Sequence, residues 1–270
     1  MKVKDKVIVV TGGGNGMGRE MVLNLLAKGA MVAAVDINEE ALNETARLAG
    51  KLGSNLTLCV VDITKKEQVE ALPAQVIARF GAVDGIINNA GVIQPFLKLQ
   101  DLPYDKIDFV MNVNLYGPLY MVKAFLPELL KRPVAHIANV SSMGGFLPVP
   151  GQTIYGATKA AVKLMTEGLY AELLDTNVKV TVIYPGAIGT NISVNSGIIT
   201  QAAADEQAKH STFKMLDPVV AAEIMIDAIE QDKYSVHVGS DSKMMDIMYR
   251  LNPKRATGMI YNQMKALLAN

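Results

Sequence analysis

Ser142, Tyr155 and Lys159 are the residues of this 270-residue chain whose types and spacing could do chemistry. The tyrosine follows the serine by thirteen residues and the lysine follows the tyrosine by four, within "NVSSMGGFLPVPGQTIYGATKAA". On a helix, positions i and i+4 share a face, so Tyr155 and Lys159 point toward one region. A free phenol titrates near ~10, and each unit of depression requires about 1.36 kcal/mol. An ammonium at ~4 to 5 Å supplies roughly 3 to 4 kcal/mol at moderate effective dielectric, enough to lower the phenol by two units or more. Such a phenol would exchange protons near neutral pH, and Ser142 could donate to a substrate oxygen as charge shifts there. Taken singly, each has an ordinary reading: Ser142 a turn hydroxyl, Tyr155 amphipathic core, Lys159 a solvated helix charge. The combination at these spacings is what favours an active site.

The elements that must hold these residues follow from the apolar pattern. Short runs, "KVIVV", "MVAAV", "LTLCVV" and "GIINN", alternate with helical patterns over 16–28, 38–51 and 65–79, and a long helix begins near Tyr104. Three more strands, "VAHIANV", "VKVTVIY" and "YSVHVG", enclose helices over 154–175 and 218–231. The runs are apolar at consecutive positions, as in parallel strands covered by helices on both faces. The expected fold is therefore α/β, a single-domain doubly wound parallel sheet of about seven strands (a Rossmann fold) spanning residues 1–270. No internal repeat, low-complexity tract or charged linker divides it.

Composition narrows the function classes. The 26 basic and 26 acidic residues cancel, so no electrostatic excess is present to hold a polyphosphate backbone, and nucleic acid is not expected as a partner. The lone Cys59 excludes an internal disulfide and any thiolate metal cage. The opening apolar stretch is too short for the core of a signal peptide, and no run approaches the eighteen apolar residues of a membrane span. A cytoplasmic protein with no metal site is expected.

"TGGGNGMG", Thr11 to Gly18, follows the first strand and opens the first helix. Gly12 can permit a tight turn, Gly16 lets the backbone approach a pyrophosphate, and Gly18 lets helix and strand pack closely. Asn15 and Met17, between these glycines, belong to the same expected dinucleotide site. The next strand ends at Asp36, whose carboxylate can accept from the adenosine ribose hydroxyls. A phosphate on that ribose would meet a negative charge at ~4 Å, a repulsion of roughly 4 kcal/mol per charge pair at an effective dielectric near 20. Asn15 and Ile37 add no positive charge there, so NAD is expected over NADP. Asp36 could alternatively cap the helix beginning near Asn38, a role compatible with the first.

With these motifs in order, the chain resembles the short-chain dehydrogenase/reductase family over residues 5 to 240. The resemblance rests on "TGGGNGMG", Asp36, "VDIT", "NNAG", "MNVNLYG", "NVSS", "YGATK" and "YPGAIGT". It implies that Tyr155 gives or takes the proton, that Lys159 lowers its pKa and binds the nicotinamide ribose, and that Ser142 positions the substrate oxygen. Asn114 would hold a water linking Lys159 to solvent. The family's interval before the tyrosine selects Ser142, with Ser141 the close substitute. The resemblance also implies that Asp62 contacts adenine with Ile63 beside it, that Asn89, Ala90 and Gly91 border the adenosine ribose, and that Pro185, Gly186, Ile188 and Thr190 seat the nicotinamide.

Specificity is expected from the long connection at 187–216, a candidate substrate loop, and from the C-terminal extension at about 241–270. His210 reads as a surface residue of that loop, and His136 and His237 as structural strand residues. In "SKMMDIMYRLNPKRATGMIYNQMKALL", Met and aliphatic residues recur at helical spacing, predicting an amphipathic helix packed on the body or on a second subunit, with a lid or surface anchor as the lesser alternatives. "RLNP" resembles the tails of family members acting on steroids and lipid-like alcohols. With Met143, Phe146, Leu147 and Val149 beside the site, a bulky apolar secondary alcohol or ketone is the expected substrate. The alternatives are a 3-oxoacyl or polyol reductase, a sugar-nucleotide epimerase, and a non-catalytic NAD-binding sensor or scaffold. The resemblance further suggests a homotetramer, with the helices near 104–131 and 154–175 forming one interface.

Overall fold

In the computed structural model, which describes residues 1–200, 202, 206 and 215–268, seven parallel strands carry the architecture. They are β1 (Val7–Thr11), β2 (Met31–Asp36), β3 (Leu56–Val60), β4 (Gly85–Asn88), β5 (Ala135–Val140), β6 (Val178–Pro185) and β7 (Ser235–Val238), in the spatial order β3-β2-β1-β4-β5-β6-β7. The order reverses between β1 and β4, which opens a crevice at the C-terminal ends of those strands. All five residues of β1 are buried because its alternate side chains feed two cores: Ile8 and Val10 one, Val7 and Val9 the other.

The first core packs against α1 (Gly16–Ala27), α2 (Glu39–Ala49) and α8 (Pro218–Glu230). The second packs against α3 (Lys66–Phe80), α5 (Gly117–Leu129) and α6 (Thr153–Glu172). Met21, Leu25 and Phe125 are fully buried in them, each contributing about 1.5–3 kcal/mol by leaving water. The doubly wound sheet expected from the sequence is thus the observed one.

Three local features differ from expectation. The long helix starting near Tyr104 is two helices, α4 (Tyr104–Met111) and α5, joined by a π-helical turn at Asn112–Tyr116. The connection at 187–216 is tied at its base by an isolated parallel bridge between Ile188 and Leu216, and holds the short helix α7 (Ile192–Asn195). His210 lies outside the described residues. The C-terminal segment is two helices, α9 (Ser240–Leu251) and α10 (Pro253–Met264), rather than one. They divide where the Asn252 side chain accepts from Arg255 N at 3.0 Å and Pro253 takes the first helical position. Leu147 packs with Met245, Ala256 and Ile260 of this pair, joined by Met143, Phe146, Met248 and Met264.

Candidate active site

The crevice begins where β1 ends. Gly12 turns the chain at φ +69°, and a Cβ on Gly18 would lie 1.9 Å from the Gly12 carbonyl oxygen, so helix and strand meet there with no space for a side chain. Asn15 caps α1 by accepting from Gly16 N at 2.7 Å. Across the crevice, Thr11 Oγ1 accepts from Asn89 N and Ala90 N at 3.0 and 3.1 Å, and Asn89 Nδ2 donates to Thr11 O. Thr11 is a positioning residue the sequence reading missed, because its partners lie 78 and 79 residues away.

The resulting cleft encloses about 470 Å³. Gly12, Asn15, Gly16 and Met17 form one wall, Asp36, Ile37, Asp62 and Ile63 a second, and Asn89, Ala90 and Gly91 a third, with Thr190 beyond. Val61 and Thr64 of "VDIT" and Asn112 of "MNVNLYG" also line it, without having been assigned a contact, as does Val92, which lies outside the motifs. Asp36 Oδ2 accepts from Gly14 N and Oδ1 from Asn38 N, each at 3.0 Å, which fixes the carboxylate on the wall. The cap of α2 is Asn38, whose side chain accepts from Ala41 N at 2.9 Å, so Asp36 does not serve as that cap. Asp62 Oδ1 takes both the backbone and the hydroxyl of Thr64. The expected contacts Gly18, Pro185, Gly186, Ile188, Tyr155 and Lys159 are not on this wall. Gly18 lies behind it for the packing reason just given, and Pro185 ends the buried strand β6.

Tyr155 and Lys159 sit in the first turns of α6, one turn apart, with Tyr155 half-buried and Lys159 only 4% exposed. The Ser142 hydroxyl accepts from Gly144 N at 3.0 Å and lies beside the Tyr155 ring, the two flanking Gly144 at 3.5 and 3.1 Å from where its Cβ would stand. Ser141 is taken out of contention: its buried hydroxyl donates to the Lys159 carbonyl at 2.7 Å. Lys159 Nζ donates to Val140 O at 3.0 Å and lies 5.9 Å from the Tyr155 ring centroid. A Cβ on Gly91 would fall 3.2 Å from Lys159 Nζ and 3.4 Å from Asn114 Oδ1, so both groups stand directly behind the third wall of the cleft.

Asn114 is fully buried within the π-helical turn, and its amide pairs in both directions with Val92, accepting from N at 2.9 Å and donating to O at 2.8 Å. It also donates to Thr158 Oγ1 at 3.3 Å, one residue before the lysine. Gln94, which no motif singled out, accepts from Ile154 N and Tyr155 N through one oxygen at 2.9 and 3.0 Å. It thereby caps the helix that carries the tyrosine.

Electrostatics depart from the expectation drawn from spacing. Burial pushes the Tyr155 phenol above its ordinary value, and the hydrogen bond from Ser142 opposes the rise. The two-unit depression by Lys159 is not found, because loss of water around the hydroxyl dominates and the amine is directed at the Val140 carbonyl. Burial brings Lys159 itself down to about 8. His136 and His237 are bonded within the fold, His136 to Thr181 and His237 to Ser242.

A family model described as "short chain dehydrogenase" matches residues 6–198. The chain belongs to the short-chain dehydrogenase family. Among its relatives, the protein named as an oxidoreductase, SadH, in Mycobacterium tuberculosis is 34% identical over 253 residues, covering 91% of this chain and 90% of the relative. An uncharacterized oxidoreductase of Staphylococcus aureus is 36% identical, covering 85% and 93%. A short-chain dehydrogenase/reductase of Burkholderia phymatum in complex with NAD superposes with a TM-score of 0.82 at 26% identity, covering 93% of this chain and 96% of that one. One of Burkholderia cenocepacia in complex with NADP gives 0.80 at 26%, covering 96% and 99%. The chain is an NAD(P)-dependent dehydrogenase of this family acting on CH–OH groups. The cleft suits such a dinucleotide: the α1 N-terminus faces it, the Gly12 turn leaves backbone exposed, and the buried Asn89 Oδ1 lacks a protein partner.

Proposed function

We propose that the chain interconverts a secondary alcohol and a ketone, using NAD(H) in preference to NADP(H), on a bulky apolar substrate such as a hydroxysteroid or lipid-like alcohol. The observation that carries the reaction is the convergence of Ser142, Tyr155 and the buried Lys159, the first two meeting at Gly144 and the third standing behind the Gly91 wall of the cleft. When bound, the nicotinamide gives or accepts the hydride. Tyr155 Oη gives the proton to the substrate oxygen in reduction and takes it back in oxidation. Ser142 donates to that same oxygen, holding it within reach of the phenol. Lys159 bears its charge below about pH 8, and Val140 O holds its amine behind Gly91 at the edge of the cleft.

Preference for NAD rests on Asp36, since its carboxylate lies on the cleft wall and no cationic side chain lines the cleft among the described residues. The apolar substrate is supported by the methionine-rich cluster that packs α9 and α10 onto Met143, Phe146 and Leu147, just past Ser142. Exposed Tyr104, Phe109 and Tyr116, with Leu164 on α6, support a homotetramer built on the α4–α5 and α6 faces. A turnover screen with NADH and NADPH across steroids, long-chain alcohols, polyols and hydroxy acids tests the reading. Turnover of steroids or long-chain alcohols with NADH is expected, falling about 10²–10⁴-fold in Tyr155→Phe with NADH binding retained. Undiminished turnover in Tyr155→Phe would overturn the reaction, equal use of NADPH the cofactor preference, and activity confined to sugars or small hydroxy acids the substrate class.

A further inference from the structure

The first turn of α9 is joined to the end of β6 by contacts that the motifs do not mark. Asp241 Oδ2 accepts from Ala187 N at 2.7 Å. Its carboxylate lies against the neighbouring residue, since a Cβ on Gly186 would come within 2.3 Å of both oxygens. A Cβ on Gly239, where φ is +103°, would lie 2.4 Å from the same group. Ser242, fully buried, donates to Tyr184 O at 2.9 Å. Because its single proton goes to that carbonyl, His237 Nδ1, 3.0 Å away, carries the proton that Ser242 accepts. His237 Nε2 in turn lies 3.5 Å from Asp246, and the imidazole is packed against Tyr184 and Phe146.

These bonds bracket Pro185, which has no N–H of its own. The carbonyl before it is held by Ser242, Gly186 N by Val238 O at 2.9 Å, and Ala187 N by Asp241. Immediately downstream the Ile188–Leu216 bridge takes over, with Gly189 N donating to Leu216 O at 2.9 Å. Tyr184 O, Gly186 N and Ala187 N are therefore tied to β7 or α9, and Gly189 N to the closing end of the loop. Two of the first three ties come from side chains 54 and 58 residues away.

We propose that Asp241 and Ser242 are positioning residues that fix Tyr184–Ile188 for the nicotinamide half of the bound dinucleotide. This rests on the function proposed above and on the family resemblance, which implies that Pro185, Gly186, Ile188 and Thr190 seat the nicotinamide. It gives the C-terminal extension a part in the cofactor site in addition to its packing on Met143 and Phe146. The carboxylate acts here as a hydrogen-bond acceptor for one backbone amide, so an asparagine oxygen should replace it.

The test compares two ligands: NADH, followed by nicotinamide fluorescence, and ADP-ribose, which lacks the nicotinamide, followed by calorimetry. In Asp241→Ala, NADH affinity is expected to fall at least about tenfold while ADP-ribose affinity changes less than about twofold. Retained ADP-ribose binding also reports that the variant is folded. Asp241→Asn is expected to restore NADH affinity to within about threefold of the parent. Should Asp241→Ala fail to fold, Gly186→Ala supplies the same comparison, because its methyl group displaces the carboxylate from Ala187 N and should produce the same split. Equal losses for both ligands in a folded variant, or no loss for either, would overturn the inference. If the parent protein itself binds neither ligand, the proposed function fails first.

Discussion

On the β1–β2 side of the crevice the main chain does most of the positioning. Gly12 turns, Gly18 admits the Gly12 carbonyl to within 1.9 Å of where a Cβ would stand, and Gly14 N and Asn38 N hold Asp36. On the β4–β5–β6 side, polar side chains do it from a distance: Gln94 caps the helix of Tyr155, Asn114 grips Val92, Ser141 holds the Lys159 carbonyl, and Asp241 holds Ala187. The first arrangement tolerates no added atom, whereas the second depends on partners that a single substitution removes. A cofactor common to a whole family can be met by fixed backbone, while the half that meets the variable substrate is built from replaceable contacts.

Substitutions on the two sides should therefore fail differently. The largest effect is expected for Gly18→Ala, whose methyl would run into the Gly12 carbonyl at 1.9 Å and Asn89 Nδ2 at 2.6 Å. It should cost about 3 kcal/mol or more and abolish NADH binding, whereas Gly53→Ala, with nothing within 4 Å, should leave both the melting temperature and binding unchanged. Equal tolerance of the two changes would remove the contrast. Next, Gln94→Leu leaves Ile154 N and Tyr155 N uncapped and should cost about 1–2 kcal/mol in chemical denaturation. Turnover should fall in this variant while ADP-ribose affinity holds, which would place the damage on the substrate side alone.

The smallest effect concerns the phenol's titration. Ser142 lowers the Tyr155 pKa against the rise caused by burial, so Ser142→Ala should move that pKa further up. Alcohol oxidation requires the deprotonated phenol, and its rising limb in a pH–rate profile should shift to higher pH. Ketone reduction requires the protonated form, and its falling limb should shift the same way. Limbs that stay in place would mean that another group governs the titration.

What the sequence revealed divides along the same line. The seven strands were legible because each is a short, mostly apolar and β-branched run, fully buried in β1, β4, β5 and nearly so in β6, and the glycine turn because its residues are neighbours in the chain. The roles of Gln94, Thr11 and Asp241 were not, since nothing beside them in the chain marks a partner 54 to 79 residues away. The break in the C-terminal helix was visible in Asn252–Pro253, a cap followed by a first-turn proline, but the methionine periodicity on either side masked it. The sign of the Tyr155 shift was out of reach because spacing gives the distance to Lys159 but says nothing about how much water the fold removes.

The π-helical turn at Asn112–Tyr116 has a further consequence. It carries one residue more than a regular α-helical turn, and each residue of an α-helix advances the spiral by about 100°. Deleting that surplus residue would regularise the rod but swing everything beyond it by the same angle. Either Asn114 would leave Val92, or Met121, Val122 and Phe125 would rotate out of the core. The length of this stretch is thereby frozen: a deletion here would break the fold or the catalytic centre, whereas a point change leaves the register of α5 intact.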